Sequence, residues 1–483
     1  MKIRSVIRPL GLLLCILGLS MLLPLGWGLY FNEGTALAFG IPAGAMLLGG
    51  AILWKLIQPT ERRLSRRESL LLVVLTWVLA SLFGALPYLL SGALPTYLDS
   101  FFEAMSGFSS AGASVFVSVE NVPQSILLWR SFTQWLGGMG IVMLFVALFP
   151  ILGIGAAYLA EAEAPSGQGE QVTARVRDTA RAIWLIYLML SIVELVLLLV
   201  AGLEVFDALT VTFSTLPGGG FAPHDLSIGY YDNFLVELIV IIFMIAGSVN
   251  FSLYYLFFWR HQPGRLFKNP EFVLYITIML VSTGLISLNL IQNTGLAPIE
   301  AIRQAGFHVV SAESTTGFAT ADFNTWPDLS RFILLALMII GGSAGSTSGA
   351  LKVVRLIISA KYIRRRVIHS FNPQAIIPLK IGDNVVPEGF IARSIGLVIV
   401  YIASIIIGTL IMTGLGLDAI SGLSSVIACL GTVGPGLGMV GPMSNYFAVP
   451  ALGKIVLIFC MLAGRLEFFT LLAIFSPSFW RWR

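Results

Sequence analysis

Long apolar stretches separated by short polar connections dominate the pattern along the chain. A helix needs about 20 mostly apolar residues to span a bilayer, and the chain contains ten such stretches. The pattern therefore predicts an all-α polytopic membrane protein embedded in a lipid bilayer. The expected spanning helices lie near residues 9–30, 39–58, 69–91, 128–153, 180–202, 235–259, 271–293, 331–358, 391–414 and 452–475.

The first apolar stretch has an alternative interpretation as a secretory signal peptide, because Ala36-Leu37-Ala38 resembles a cleavage site. The core of a signal peptide is about 7–15 residues long. The apolar region here runs from Pro9 to Tyr30 and is longer than that. We therefore expect a retained span, and we expect residues 1–60 to form two helices ahead of the rest of the fold.

Four of the connections between spans contain a short apolar segment of their own. Each segment is too short to cross a membrane, carries an acidic residue at its second position and ends in a glycine-bearing stretch. An acid favours a helix N-terminus, because the helix macrodipole is positive there. The segments are "LDSFFEAMSGFSSAGAS" (98–114), "FDALTVTFSTLPGGGF" (206–221), "IEAIRQAGFHVVSAESTTGF" (299–318) and "LDAISGLSSVIACLGTVGPG" (417–436).

These segments recur roughly 100 residues apart, and such self-similarity predicts a repeated structural unit. The predicted unit is a span, a short re-entrant helix, a glycine loop and a second span. For any one segment the alternative is an outer loop with an interfacial helix, but four matching segments favour the repeated unit. The predicted units occupy residues 69–153, 180–259, 270–358 and 390–476.

The distribution of charge predicts the orientation in the membrane. The chain is 57% hydrophobic and 11% charged, whereas soluble domains carry about 25% charged residues. Lys and Arg concentrate at both ends and on alternate connections, as cytoplasmic connections do. We therefore expect both termini to be cytoplasmic and the glycine loops to face outward. The basic segments are 1–8, 61–68, 175–181, 260–268, 361–366 and 481–483, whereas 92–127, 203–234 and 415–453 contain no Lys or Arg and 294–330 contains only Arg303.

The cysteines and histidines indicate no metal or redox chemistry. Cys15, Cys429 and Cys460 lie in apolar stretches, and scattered cysteines make neither a disulfide framework nor a zinc site. The four histidines show no metal-ligand spacing. We expect no cofactor bound by this chain, no nucleic-acid partner and no enzymatic activity.

Four glycine loops that meet on one axis are suited to passing a cation. Irregular backbone at membrane depth persists only where it is buried in protein or lines a wet cavity. Carbonyl oxygens of such loops can replace the hydration shell of an ion, and glycine permits the backbone angles that this requires. The short helices would point their C-termini, which are the negative ends of their dipoles, at the centre. The sequence therefore predicts a cation pore.

The second span of the third unit contains nine consecutive small residues. Each glycine in a helix interior costs about 1 kcal/mol, so this run predicts a break in the helix and a candidate gate beneath the glycine loops. The alternative is a tight contact between helices. The run also matches a nucleophile elbow centred on Ser343, but it lacks the strand context of that motif. It resembles a phosphate loop as well, but the lysine of a phosphate loop directly follows a glycine, and Lys352 does not. The candidate gate residues are Gly341, Gly342, Ser343, Ala344, Gly345, Ser346, Thr347, Ser348 and Gly349.

Arg465 and Glu467 lie deep in the last span. A charge at such a depth is costly and usually faces a cavity or a partner. Arg465 is therefore a candidate to line the pore beneath the glycine loops. An ion pair with Glu467 or another acid is the alternative, and the two roles are compatible.

Four further motifs carry a family resemblance. They are "QWLGGMGIVML" (134–144), "STTGFAT" (314–320), "GPGLG" (434–438) and "GRLEFFTLL" (464–472). Together with the four units, they make the chain resemble the Trk/Ktr/HKT superfamily of potassium transporters essentially from end to end. The two additional N-terminal spans are similar to those of the bacterial Trk branch rather than the shorter Ktr branch.

The resemblance implies potassium uptake across the bacterial inner membrane by a homodimer, with K⁺ as the transported substrate. It also implies a cytoplasmic ring of TrkA-like nucleotide-binding regulatory subunits, since no connection here is long enough to form a nucleotide domain. In this family the four loops form the selectivity filter, and the third-unit loop and Arg465 form the gate. By resemblance the filter comprises Ser110, Ala111, Gly112, Ala113, Gly218, Gly219, Gly220, Thr315, Thr316, Gly317, Phe318, Thr432, Val433 and Gly434, and K⁺ binds the backbone carbonyls of Ala111, Gly112, Gly218, Gly219, Thr316, Gly317, Val433 and Gly434.

Two of the filter tetrads depart from the family pattern. The first reads Ser110-Ala111-Gly112-Ala113 where Thr-Thr-Gly-Ala is usual, and the second, taken as Pro217-Gly218-Gly219-Gly220, has Gly218 where a branched residue is common. This thinner side-chain support leaves open a transporter of Na⁺ and K⁺ with relaxed selectivity. The sequence also leaves open a symporter coupled to H⁺ or Na⁺, an alternating-access carrier and an intramembrane hydrolase built on Ser343.

Overall fold

A computed structural model describes residues 3–57, 65–138, 140, 176–258, 261, 264–382, 384–466 and 468–481. The chain begins with the helices α1 (Ile3–Ser20), α2 (Leu22–Tyr30) and α3 (Ala36–Leu56). Helix α1 packs closely against α3 because Gly11 and Gly50 face each other. A Cβ atom added to either glycine would lie less than 3.0 Å from the carbonyl oxygen of the other.

The remaining elements are grouped here into four consecutive parts of the chain, called units 1 to 4. Unit 1 contains α4 (Arg66–Gly84), α5 (Leu86–Leu90), α6 (Tyr97–Phe108) and α7 (Gln124–Gly138). Unit 2 contains α8 (Val176–Val200), α9 (Val205–Thr215), a 3₁₀ turn (Ser227–Tyr231), α10 (Phe234–Ser248), α11 (Phe251–Phe258) and α12 (Gly264–Lys268).

Unit 3 contains α13 (Pro270–Thr294), α14 (Pro298–Glu313), a 3₁₀ turn (Phe323–Thr325), α15 (Asp328–Ile340) and α16 (Val353–Phe371). A short antiparallel hairpin follows, formed by β1 (Lys380–Ile381) and β2 (Asn384–Val385). Unit 4 contains α17 (Glu388–Gly414), α18 (Ala419–Gly431), a 3₁₀ turn (Gly438–Val440), α19 (Ala451–Leu466), α20 (Phe468–Phe475) and α21 (Pro477–Arg481).

The described residues contain fewer uninterrupted spans than the ten that the apolar pattern predicts. Six helices are long and apolar enough to cross a membrane, or eight if two bent pairs each count as one span. One of these pairs, Phe234–Ser248 with Phe251–Phe257, bends by 99°. The predicted span 331–358 is interrupted, because α15 ends at Ile340 and α16 begins only at Val353. The continuation of the span 128–153 beyond Gly138, the connection with Arg175 and the side chain of Glu467 lie outside the described residues.

Four short helices, α6, α9, α14 and α18, occupy the interior and carry buried polar side chains. The long helices present apolar side chains outward, as at Leu280, Ile399 and Leu410. Side-chain caps satisfy the free N–H groups at two of the short helices. The Thr96 hydroxyl accepts from the N–H of Asp99 at 3.1 Å, and the Asp418 carboxylate accepts from that of Ser421 at 3.1 Å.

A repeated glycine contact holds the second helix of a unit against the end of its short helix. A Cβ atom on Gly137, Gly247 or Gly464 would lie less than 3.0 Å from a backbone carbonyl oxygen. Only a residue without a side chain permits this approach. The carbonyls concerned belong to Phe108 in unit 1, Leu216 in unit 2 and Leu430 in unit 4.

Candidate functional site

The four loops that follow the short helices share one backbone hydrogen bond. In each loop an N–H group donates to the carbonyl five residues earlier, which closes the end of the helix in the same way. This bond makes Ala111, Gly219, Thr316 and Val433 equivalent positions. The bonds are Ala111 to Ser106 at 2.8 Å, Gly219 to Ser214 at 2.9 Å, Thr316 to Ser311 at 3.0 Å and Val433 to Ala428 at 2.8 Å.

The residues on either side of this position have left-handed backbone angles. The preceding residue has a φ between +54° and +69°, although three of these four residues are not glycine. A non-glycine residue in this region is strained, and such strain concentrates at functional sites. The following residue is glycine in every loop and has a φ between +72° and +100°. The preceding residues are Ser110, Gly218, Thr315 and Thr432, and the following glycines are Gly112, Gly220, Gly317 and Gly434.

This alignment moves the predicted register of the second loop by one residue. The counterpart of Gly112, Gly317 and Gly434 is Gly220, whereas the sequence placed Gly219 there. The second tetrad is therefore Gly218-Gly219-Gly220-Phe221 instead of Pro217-Gly218-Gly219-Gly220. The two carbonyls equivalent to those of Ala111 and Gly112 belong to Gly219 and Gly220, so Gly218 leaves the predicted set. The sequence cannot show which of the three consecutive glycines corresponds to Gly112. The hydrogen bond at the end of the helix defines this register.

The four loops form a closed ring. In each loop the left-handed glycine lies against the carbonyl oxygen that precedes the glycine of a neighbouring loop. A Cβ atom at Gly112, Gly220, Gly317 or Gly434 would lie less than 3.0 Å from that oxygen, so no side chain fits. The contacts run from Gly112 to Gly219 O, from Gly220 to Thr316 O, from Gly317 to Val433 O and from Gly434 to Ala111 O, which closes the circle.

A second ring of hydrogen bonds joins the segments that follow the four loops. The Asp225 carboxylate of unit 2 accepts from the N–H of Val119 in unit 1 at 2.7 Å. The remaining bonds join Ala319 N to Ser227 Oγ at 3.2 Å, Gly438 N to Asn324 Oδ1 at 2.8 Å and Tyr446 N to Ser114 O at 2.8 Å. Each unit is thus joined to the next one on this side as well.

A cavity of about 240 Å³ lies next to the ring and is lined by all four of its left-handed glycines. His224 lines this cavity, and its ring lies between Asp207 (Nε2 to Oδ2 3.2 Å) and Glu120 (Nδ1 to Oε2 3.6 Å). Burial lowers the pKa of His224, but the hydrogen bond and charge of Asp207 and the charge of Glu120 outweigh burial and raise the pKa above its usual value. Asp207 and Glu120 do not line this cavity themselves, and they favour the protonated form of His224, which does.

A buried ion pair that the sequence pattern did not predict lies beside the ring. The Arg130 guanidinium donates to the Glu103 carboxylate at 2.7 Å, and both side chains are buried. Glu103 also accepts from the N–H of Val115 at 2.9 Å, and Arg130 donates to the carbonyl of Ala222 at 3.0 Å. The pair therefore braces the segments after the first and second loops. Two features of the sequence could have indicated this pair, namely an acid within a short helix and an arginine in the next apolar helix. Charged side chains at membrane depth need partners, so the two could have been paired.

The interrupted segment of unit 3 lies directly against the other face of the ring. The Ser348 hydroxyl donates to the carbonyl of Ser314 at 2.8 Å, and the N–H of Gly349 donates to the Thr315 hydroxyl at 2.9 Å. The Thr347 hydroxyl donates to the carbonyls of Leu216 and Gly247, both at 2.9 Å. The segment is thus attached to the bases of the second and third loops.

Arg465 connects the same segment to unit 1. Its guanidinium donates to the carbonyls of Thr347 at 2.9 Å, Gly137 at 2.6 Å and Gly138 at 2.5 Å. In the same segment, the N–H of Ala344 donates to the Glu271 carboxylate at 2.7 Å. The predicted gate residues and Arg465 therefore belong to one hydrogen-bonded group.

Ser343 does not have the surroundings of a nucleophile. Its hydroxyl is buried and has no hydrogen-bond partner among the described residues. A serine nucleophile requires a base within hydrogen-bond reach. The geometry of the described chain therefore gives no support to the hydrolase alternative.

Comparison with known proteins finds relatives over the full length of the chain. A family model described as TrkH, cation transport protein, matches residues 44–482. The Trk system potassium uptake protein TrkH of Halomonas elongata is 37% identical over 488 residues, with all of both chains covered. The protein of the same name from Escherichia coli K12 is 35% identical over 484 residues, again with all of both chains covered.

A solved structure has the same fold. The crystal structure of the potassium transporter TrkH from Vibrio parahaemolyticus matches with a TM-score of 0.89 and 35% sequence identity, and the match covers all of both chains. The likeness therefore extends from the N-terminal helices α1 to α3 to the end of the described chain.

Proposed function

The chain belongs to the TrkH family of cation transport proteins, and from this premise we propose that it takes up potassium across a membrane through the ring of four loops. Relatives over its full length are named as potassium uptake proteins. The chain then acts as a transporter rather than an enzyme, and K⁺ is its substrate.

The observation that carries this proposal is the closed ring of left-handed glycines. Each loop brings a carbonyl oxygen against the backbone of its neighbour, and rings of backbone carbonyls are how potassium pathways replace the hydration shell of the ion. The short helices end at the ring, so the negative ends of four helix dipoles lie close to it. Both features favour a cation over an anion.

Relaxed selectivity between Na⁺ and K⁺ is the second candidate, and the composition of the ring favours it. The first and second loops place Ala111 and Gly219 where the third and fourth place Thr316 and Val433. Smaller side chains leave the backbone less firmly held. The hydrogen bonds that the Gln134 side chain makes to the second loop favour potassium instead.

Gating is assigned to the segment 341–349 together with Arg465. The segment lies against the base of the ring and is held by hydroxyl and guanidinium groups. Helix α16 continues from it and carries the basic run 361–366, which a cytoplasmic regulatory partner could contact. Under this proposal the partner is a TrkA-like nucleotide-binding ring, the transporter is a homodimer in the bacterial inner membrane, and both termini are cytoplasmic.

Growth at low potassium tests the proposal. Cells that lack their own potassium uptake systems should regain growth when they express the chain with its regulatory partner. Gly317→Ser should reduce this rescue at equal membrane expression. An absence of rescue by the unaltered chain, with the protein present in the membrane, would refute potassium uptake.

A further inference from the structure

Gln134 of α7 reaches from unit 1 into the loop of unit 2. Its side chain is fully buried. The amide nitrogen donates to the carbonyl oxygen of Gly219 at 2.7 Å, and the amide oxygen accepts from the N–H of Phe221 at 3.1 Å. One side chain thus holds the backbone on both sides of Gly220, the glycine through which this loop contacts the third loop.

The amide of Gln134 also occupies the place of a missing side chain. The three atoms nearest to a Cβ added at Gly219 all belong to the end of the Gln134 side chain, and all lie less than 3.0 Å away. The φ of Gly219 is not left-handed, so the backbone itself would accept a side chain there. The equivalent residues Ala111, Thr316 and Val433 all carry one.

We propose that Gln134 is the positioning residue of the second loop, and that it sets ion selectivity by supplying from unit 1 the support that Gly219 lacks. This inference rests on the proposed function, since it concerns the selectivity of the same ring. Three consecutive glycines have more conformational freedom than any other sequence. Gln134 removes that freedom with a donor and an acceptor at fixed positions.

The contact affects two loops at once. The Gly219 carbonyl that accepts from Gln134 is also the oxygen against which Gly112 of the first loop packs. Arg130, one helical turn earlier on α7, binds the carbonyl of Ala222 and lies 3.6 Å from the ring centre of Phe221. Helix α7 therefore holds the second loop from Gly219 to Ala222, and Gln134 fixes the part that belongs to the ring.

Ion flux into vesicles of purified protein tests the inference. Gln134→Met keeps the volume and removes both hydrogen bonds. The K⁺ to Na⁺ flux ratio should then fall by about three- to tenfold, the effect of one to two weakened hydrogen bonds on an equilibrium. Gln124→Ala, on the exposed start of the same helix, is the matched control and should leave the ratio unchanged.

The glutamate variant separates positioning from packing. In Gln134→Glu an ionised carboxylate cannot donate to Gly219, whereas the protonated acid can. At each pH the flux ratio of this variant is compared with that of the unaltered protein at the same pH, because His224 beside the ring also titrates. The two ratios should approach each other at low pH and separate as the pH rises. A difference between the two ratios that is independent of pH contradicts the positioning role.

A pair of substitutions tests whether a side chain at position 219 can replace the support that Gln134 gives to the second loop. Gly219→Thr alone should displace the amide of Gln134 and lower the flux ratio. Gly219→Thr combined with Gln134→Ala restores the arrangement of the third loop and should give a higher ratio than either single variant. Additive losses in the double variant would overturn the inference, because residues that share a space should show coupling.

The outcomes distinguish this inference from the proposed function. If the unaltered protein carries no potassium, the proposed function fails irrespective of Gln134. If it prefers potassium and Gln134→Met keeps the same ratio, the ring remains a potassium pathway and the assignment of Gln134 is wrong.

Discussion

The hydroxyl of Tyr446 donates a hydrogen bond of 2.7 Å to the carbonyl oxygen of Gly434. The same residue donates its backbone N–H to the carbonyl of Ser114 at 2.8 Å. Tyr446 therefore fixes the glycine of the fourth loop and joins units 4 and 1. The ring is held from outside by side chains, as Gln134 holds the second loop and Ser311, whose hydroxyl donates to Phe318 O at 2.7 Å, holds the third.

Tyr446→Phe removes only the hydroxyl that binds Gly434. A buried hydrogen bond contributes about 1 kcal/mol net, so we expect a loss of about fivefold in the K⁺ to Na⁺ flux ratio with little change in expression. Tyr30→Phe, at an exposed tyrosine, should keep the ratio. An unchanged ratio in Tyr446→Phe would show that Gly434 is held by its loop alone.

Gly317→Ala should be far more disruptive than an alanine at another left-handed glycine. The left-handed backbone costs alanine about 1–2 kcal/mol, and at Gly317 the added methyl group also meets the carbonyl of Val433. Gly295 has a φ of +72° and open space around its Cβ position, so Gly295→Ala should show the backbone cost alone. Thermal unfolding and K⁺, Rb⁺ and Na⁺ fluxes of both variants measure the difference. Equal effects would argue against a tight ring.

Thr347→Val combined with Ser348→Ala should open the candidate gate. The two hydroxyls bind carbonyls of Leu216, Gly247 and Ser314 at the base of the ring. Losing about 1–2 kcal/mol of contacts in the closed state shifts a two-state equilibrium by about tenfold, so flux without the regulatory partner should rise by that factor. Ser370→Ala, on the exposed part of α16, is the control. The gate assignment is wrong if basal flux does not change.

The pair of Arg130 and Glu103 should show strong coupling in stability. Arg130→Met leaves the Glu103 carboxylate buried without its cation, and breaking a buried pair in this way costs about 3–5 kcal/mol. Adding Glu103→Gln removes the orphaned charge and should recover much of the lost thermal stability. Arg331→Met, next to the exposed Asp328, should cost about 1 kcal/mol or less. Additive losses for Arg130 and Glu103 would contradict the account of this pair.

Local patterns in the sequence located the four loops, because an acid, a short apolar run and a glycine recur within each unit. The small residues at 341–349 likewise predict a helix break, and the structure has irregular backbone from Gly341 to Lys352. Both features depend on neighbours in the chain, so composition and spacing indicate them.

The register of the second loop and the supports of the ring depend on contacts between units. Gly218, Gly219 and Gly220 are chemically identical, so the bond from Gly219 to Ser214 is needed to identify Gly220 as the counterpart of Gly112, Gly317 and Gly434. Gln134 and Gly219 are distant in sequence and meet only in the folded chain. No periodicity within one unit could have paired them.

Ion density along the axis of the ring is the most direct test of a potassium pathway through the four loops. The experimental structure of the protein should be determined in K⁺ and in Na⁺ under otherwise equal conditions. We expect density for an ion in K⁺ at the ring formed by Gly112, Gly220, Gly317 and Gly434, and weaker or displaced density in Na⁺. Equal density in both salts, or an axis closed to ions between these glycines, would contradict it.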